Sequence, residues 1–246
     1  MKLNCDLGEY ALTDANCPDA LVMPFIDMAN IACGYHAGCE KTMHNTVVLA
    51  VKHNVQIGAH PSYDDKENFG RVSQSLNDGQ IMALMATQLK ALSLICAQHD
   101  TSLSYVKPHG ALYNDMMQSE QIFRAICKSI AAFSSNLPLM IQAVNNQLEF
   151  QNIADEYNLS LIFEAFADRN YQVNGLLVPR SEPNAVLHDV DDIIRRCKQL
   201  IIHQELQAIN GKVININANS LCVHGDNTDA LAMVKALRAV LNDLHE

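Results

Sequence analysis

Ser104-Tyr105-Val106-Lys107-Pro108-His109 is a short β-favouring run that closes on a cation and an imidazole, and an apolar stripe at helical spacing, Ile122, Ile126, Ile130 and Phe133, follows it. A strand that leads into a helix is the repeating unit of parallel α/β proteins. Working outward, comparable runs occur at Lys2 to Asp6, Met28 to Cys33, Val55 to His60, Leu139 to Gln142, Leu161 to Asp168 and Ser220 to Asp226. Helical stripes accompany several of them: Ile81, Leu84, Met85, Leu89, Leu92 and Cys96; Val190, Ile193, Ile194, Cys197, Leu200 and Ile201; Leu231, Val234, Leu237, Leu241 and Leu244.

Polar residues fall at one end of these runs. Asp6, His60, Lys107 with His109, Asp168 with Arg169, and His224 with Asp226 each close a run at its C-terminal end. Strand C-termini converge on the ligand-binding face of parallel sheets and barrels. No G-x-G-x-x-G follows the first run, where Leu7-Gly8-Glu9 stands, so a seven-stranded (β/α) barrel is preferred over a doubly wound sheet. Residues 1–246 are read as a single domain. Between Phe166 and Asp189 no helix is expected, and Gly175 to Arg180 reads as a small hairpin or lid.

The composition narrows the function. Seventeen Lys plus Arg against 27 Asp plus Glu give a net charge of −10, which argues against nucleic-acid partners. No run approaches the ~20 apolar residues of a membrane span, and the N-terminus meets Asp6 too early for a signal peptide. No membrane association and a cytoplasmic location are expected. Eight cysteines without a C-x-x-C pair read as buried, reduced thiols. The sequence has no phosphate-binding G-x-x-x-x-G-K-[ST], no G-x-S-x-G elbow and no H-E-x-x-H helix.

Alternate strand residues share a face, so Lys107 and His109 point the same way, a pairing suited to carboxylate binding and proton transfer. By the same alternation Glu164, Phe166 and Asp168 share a face. Pro61 biases His60 toward extended geometry at a strand end. Asp6 and Glu9 flank Gly8 as two carboxylates about a turn, and Asp6 reads as a general base, a metal ligand or an orienting acceptor. The small residues around Asn30 and His36 allow close backbone approach to a ligand. His224 and Asp226 enter the last helix, where free N–H groups favour an anion or where Asp226 simply caps.

Taken together, Asn4 to Glu9, Ala29 to Gly38, Gly58 to Pro61, Val106 to Asn114, Glu164 to Arg169 and Cys222 to Asp226 resemble the LamB/YcsF family of 5-oxoprolinase A subunits. The resemblance runs in order from residue 4 to about residue 240. It implies a barrel of the glycoside hydrolase/deacetylase type, and an activity that opens the lactam of 5-oxoproline to L-glutamate with ATP hydrolysis. It also implies two partner subunits, and the missing phosphate loop suits an ATP co-substrate bound largely by them. The polar positions carried over by motif are Asp6, His60, Lys107, His109, Glu164, Asp168 and His224. Cys39 departs from the usual Asp, Ser62 from a Gly, and Asn68-Phe69-Gly70-Arg71-Val72 from Gly-Phe-Gly-Arg-Arg.

Our reading of the chemistry gives Lys107 and Arg169 the substrate carboxylate, Asp6 or Asp168 the water, and His109 or His60 the leaving nitrogen. Asn30, His36, His224 and Asp226 are expected to contact substrate. Two alternatives use the same residues differently. Asp6, His60 and His109 would ligate a divalent metal in a deacetylase-like hydrolase, or the cleft would be vestigial in a non-catalytic subunit.

Overall fold

The computed structural model describes residues 1–10, 17–223 and 230–243, so Leu244 of the last expected stripe lies outside the described residues. Seven parallel strands close into a barrel in chain order. They are β1 (Lys2–Leu7), β2 (Met28–Ala32), β3 (Gln56–His60), β4 (Tyr105–Val106), β5 (Leu139–Gln142), β6 (Leu161–Phe166) and β9 (Ser220–Val223). Each corresponds to an expected run. The fourth is shorter than expected because Pro108 has no N–H to continue a ladder, although Lys107 N and His109 N still donate to Ala59 O and Pro61 O at 2.9 and 2.8 Å.

Helices α1 (Pro18–Val22), α2 (Glu40–Lys52), α3 (Asp78–Ala97), α4 (Gly110–Gln118), α5 (Glu120–Phe133), α6 (Gln147–Asp155), α7 (Val190–His203) and α8 (Ala230–Asp243) connect the strands. The expected stripes supply their buried faces, such as Ile81, Met85, Leu89 and Leu92 of α3. Asp189 caps α7 by accepting from Asp192 N at 2.9 Å. Helix α3, with 20 residues, is long and apolar enough to cross a membrane by length and composition alone, but its stripe of Ile81, Met85, Leu89 and Leu92 is buried in the core between the helices and the outer faces of the strands.

Strand alternation divides two interiors. Outward residues such as Leu3, Ile31, Ala59, Val106, Ile141 and Leu221 join the core beneath the helices. Inside the barrel, Met28, Tyr105 and Met140, with Ile162 against them, form a small separate apolar layer. Buried Asn4, Asn30, His60, Gln142, Glu164 and Ser220, with Lys107 just beyond β4, supply polar groups to this interior. Such residues are costly to bury unless they satisfy one another.

Residues 167–189 form no helix. Antiparallel bridges Tyr171–Leu177 and Arg169–Val186 fold this segment into the expected hairpin-like flap. A second hairpin, β7 (Glu205–Gln207) with β8 (Val213–Asn215), lies between α7 and β9 and was not anticipated. All eight cysteines are free, and seven are buried; Cys39 is the exposed exception.

Candidate active site

The C-terminal ends of β1, β3, β4, β5 and β6 open into a cleft of about 490 Å³. Its floor is an ion-pair network. Lys107 Nζ lies 3.0 Å from both Asp6 Oδ1 and Glu164 Oε2, and donates to Asn4 Oδ1 and Cys222 Sγ at 3.3 Å. Burial works against its charge, but Asp6, Cys222 and Glu164 outweigh that and hold the ammonium well above its usual pKa. Asn30 donates to Asp6 Oδ1 at 2.7 Å and to Asn4 Oδ1 at 2.8 Å, and accepts from the Tyr105 hydroxyl at 2.5 Å. Asn30 is therefore a strut beneath Asp6, fully buried, and not among the residues lining the cleft. Lys107 lines the cleft, but its ammonium already faces two carboxylates, which weakens its expected role as holder of a substrate carboxylate.

Above this floor sits a histidine cluster. His60 Nδ1 is 2.7 Å from Lys107 O, and His109 Nε2 is 3.0 Å from Phe69 O. A carbonyl only accepts, so these nitrogens carry the protons. The remaining two, His60 Nε2 and His109 Nδ1, face each other at 2.9 Å. His36 stacks on His109 with ring centroids 3.8 Å apart, and neither of its nitrogens has a hydrogen-bond partner. Glu9 Oε1 lies 3.7 Å from His36 Nε2 and 4.0 Å from His109 Nδ1, while Asp6 Oδ2 lies 3.4 Å from His60 Nε2. Burial, then the neighbouring His60 ring, pushes His109 down to about 3. Burial, then His109, pushes His36 further below the imidazole range. Both rings are neutral at pH 7, so His109 is poised as a lone-pair donor and not as the proton donor that the sequence suggested. The donor atoms of Glu9, His36, His60 and His109 all lie within 4.8 Å of one another, a set compatible with a divalent metal.

The far wall comes from the flap. Arg169 lines the cleft and donates to Val178 O at 2.6 Å and Ala185 O at 3.3 Å, so it fastens the flap as well as charging the site. Burial, then Arg180, lowers it to about 10, which leaves it cationic at neutral pH. Among the described charged residues lining the cleft, Arg71, Lys107, Arg169 and Arg180 stand against Asp6 and Glu9. In a chain of net charge −10 this cationic excess marks a place for an anionic ligand.

The structure thus brings Asp6, His36, His60, Lys107, His109, Glu164 and Arg169 together. Asp168 is buried beside the flap, where its carbonyl accepts from Leu187 N, but it does not line the cleft. His224 and Asp226 lie outside the described residues. Cys39, in place of the usual Asp, is the N-cap of α2 and exposed, so its position concerns the helix and not the cleft. Sequence reasoning missed Phe69, Arg71, Tyr113 and Arg180 as lining residues. The Phe69-Gly70-Arg71 string is the part of a family pattern that this sequence keeps between its departures at Asn68 and Val72, and that string was the available signal.

The profile of the LamB/YcsF family matches residues 1–245. The chain is 46% identical over 243 residues to the 5-oxoprolinase A subunit of Vibrio cholerae serotype O1, covering 99% of this chain and 98% of that one. It is 47% identical over 237 residues to the protein of the same name from Vibrio vulnificus, covering 96% and 95%. Among solved structures, the lactam utilization protein from Thermus thermophilus superposes with a TM-score of 0.89 at 31% identity, over 100% of this chain and 97% of that one.

Proposed function

This chain belongs to the LamB/YcsF family, and from that premise we propose that it opens the lactam of 5-oxoproline to L-glutamate, as the A component of an enzyme whose two partner subunits supply ATP hydrolysis. Its relatives are named as the A subunit of 5-oxoprolinase, and the solved relative is a lactam utilization protein. The observation that carries the reading is Asp6: a carboxylate anchored by Lys107 and Asn30, facing a cleft in which cations outnumber acids. The absence of a phosphate loop from the sequence supports ATP binding on the partners. ATP and a free amino-acid derivative as reactants agree with work in the cytoplasm.

A five-membered lactam is a stable amide, and its opening needs an activated carbonyl, a positioned water and a proton for the leaving nitrogen. Phosphorylation of the amide oxygen at the expense of ATP would supply the activation. Arg169 and Arg180 take the substrate carboxylate. Asp6 Oδ2 accepts a proton from water as its oxygen bonds to the ring carbonyl carbon. The C–N bond then breaks, the same carboxyl returns the proton to nitrogen, and a second water hydrolyses the resulting acyl phosphate to L-glutamate and inorganic phosphate. Lys107 and Asn30 fix the orientation of Asp6 through Oδ1, and the reaction uses Oδ2.

The test is glutamate release from 5-oxoproline with ATP and magnesium, using the partner subunits with and without this chain. Glutamate is expected only when the chain is present, and Asp6→Asn is expected to lower kcat by roughly 10² to 10⁴ with the fold intact. No glutamate from a complete, folded set of subunits overturns the reading.

A further inference from the structure

Two histidines in the cleft pose a problem that hydrogen bonding within the site does not solve. His60 and His109 each direct their proton outward to a backbone carbonyl, Lys107 O and Phe69 O. The two remaining ring nitrogens, His60 Nε2 and His109 Nδ1, therefore face one another across 2.9 Å. Two ring nitrogens sit at that distance with something electron-poor between them, either a shared proton or a metal ion. A proton would satisfy two atoms. Here four donors converge, because His36, buried at 1% exposure with both nitrogens unpartnered, and the Glu9 carboxylate border the same point.

We infer that Glu9, His36, His60 and His109 form a binding site for one divalent transition-metal ion of the zinc or cobalt class. A tetrahedral shell with ligands at about 2.0 to 2.1 Å has edges of about 3.4 Å, and separations of 2.9, 3.7 and 4.0 Å bracket that value. Three imidazoles and a carboxylate, without a thiolate, suit zinc, cobalt, nickel or iron and disfavour magnesium and calcium, which prefer all-oxygen shells. The carbonyls behind His60 and His109 are the outer-shell partners that fix the tautomer of metal-bound histidines. His36 lies flat against His109, so its ring must turn to bring a nitrogen into the shell, and neither nitrogen has a hydrogen bond to lose in turning. Asp6 stays outside the set, held by Lys107 and Asn30 and 3.4 Å from His60 Nε2. The site thus differs from the Asp6, His60 and His109 set that the sequence suggested.

The experiment is titration of the chelator-treated full chain with Co²⁺ alone, followed by visible ligand-field absorption and by metal content after desalting. One equivalent should bind, and one equivalent of Zn²⁺ should displace it. Glu9→Gln, close in shape to the original, and His36→Asn should each weaken binding by at least the roughly 10- to 100-fold that loss of an outer-shell partner costs, with unchanged circular dichroism as the control for folding. Nitrogen-15 spectra of the histidines give a second readout. In the metal-free chain they should report Nδ1–H for His60 and Nε2–H for His109, and Zn²⁺ should shift the opposite nitrogens of both rings. Failure of the folded chain to bind Co²⁺, binding unchanged in both variants, or an imidazolium signature shared by the pair at neutral pH would each overturn the site. The measurement uses no substrate and no partner, so it can fail without touching the lactam reading, which has its own assay.

Discussion

At Lys107 one ammonium balances two carboxylates, Asp6 and Glu164, and Glu164 is fully buried. Removing one partner of a buried pair leaves an uncompensated charge and costs about 3 to 5 kcal/mol. Lys107→Met should therefore destabilise by that amount in urea unfolding, and Glu164→Gln added to it should recover part of the loss. A loss below about 1 kcal/mol in the single variant would mean that the network is already relaxed by water. The buried histidines predict a pH dependence of the metal-free chain. His109 is lowered from 6.5 to about 3, so between these values the unfolded state binds a proton that the folded state refuses. Stability then falls as pH drops below about 6.5, by up to about 1.4 kcal/mol per pH unit for this group. His36, also lowered, adds to the same slope. Urea midpoints measured from pH 7.5 to 4.5 check the sign, and a flat profile would place the rings in water. Lys107 and His109 were legible as a pair because strand alternation fixes a shared face. Their partners were not, because those partners come from other strands and from the loop that carries Phe69.

Strand β3 shows how an element transmits packing to the site. A Cβ on Gly58 would lie inside the ring of Tyr105, its register partner on β4. Tyr105 hydrogen-bonds Asn30, and Asn30 holds Asp6. Gly58→Ala should cost roughly 1 to 3 kcal/mol through overpacking and should also lower kcat, because the strut beneath Asp6 moves with the ring. A variant with the stability loss and full kcat would show that Lys107 alone suffices to orient Asp6. The seven strands were legible because each is an apolar, β-favouring run and most of them end in polar groups. The β7–β8 hairpin escaped because its strands have three residues each, too few for an alternation to register. Asn210-Gly211, with Gly211 at φ +87°, was the turn signal that could have disclosed it. The flap at residues 167–189 was visible as a gap in helical periodicity and as a short hairpin or lid at Gly175 to Arg180. That it walls the cleft depends on Arg169 tying it to Val178 and Ala185, a tertiary fact.

For the whole molecule the decisive contrast is between a net charge of −10 and a cleft in which, among the described residues, Arg71, Lys107, Arg169 and Arg180 outnumber Asp6 and Glu9. The first is read from composition, which argues against nucleic-acid partners but says nothing of the cleft. The second was illegible, because Arg71 and Arg180 lie in irregular segments far apart in sequence and meet only when the barrel closes. An acidic exterior repels an anionic substrate at long range, while the cleft attracts it at short range. Salt should screen the exterior first, since the Debye length shrinks from about 30 Å at 0.01 M to about 10 Å at 0.1 M. The KM for 5-oxoproline should accordingly change little, or fall, up to about 0.1 M salt and rise beyond it as the cleft is screened too, with kcat unchanged. Arg180 is the informative residue to remove, because it is exposed and substituting it leaves the hydrogen bonds from Arg169 to the flap in place. An exposed charge pair is worth up to about 1 kcal/mol, or roughly fivefold in affinity. Arg180→Gln should raise KM by about that factor, flatten the rise at high salt and spare kcat. If it lowered kcat and left KM alone, Arg180 would be acting on the transition state, and the substrate carboxylate would belong to Arg169 or Arg71.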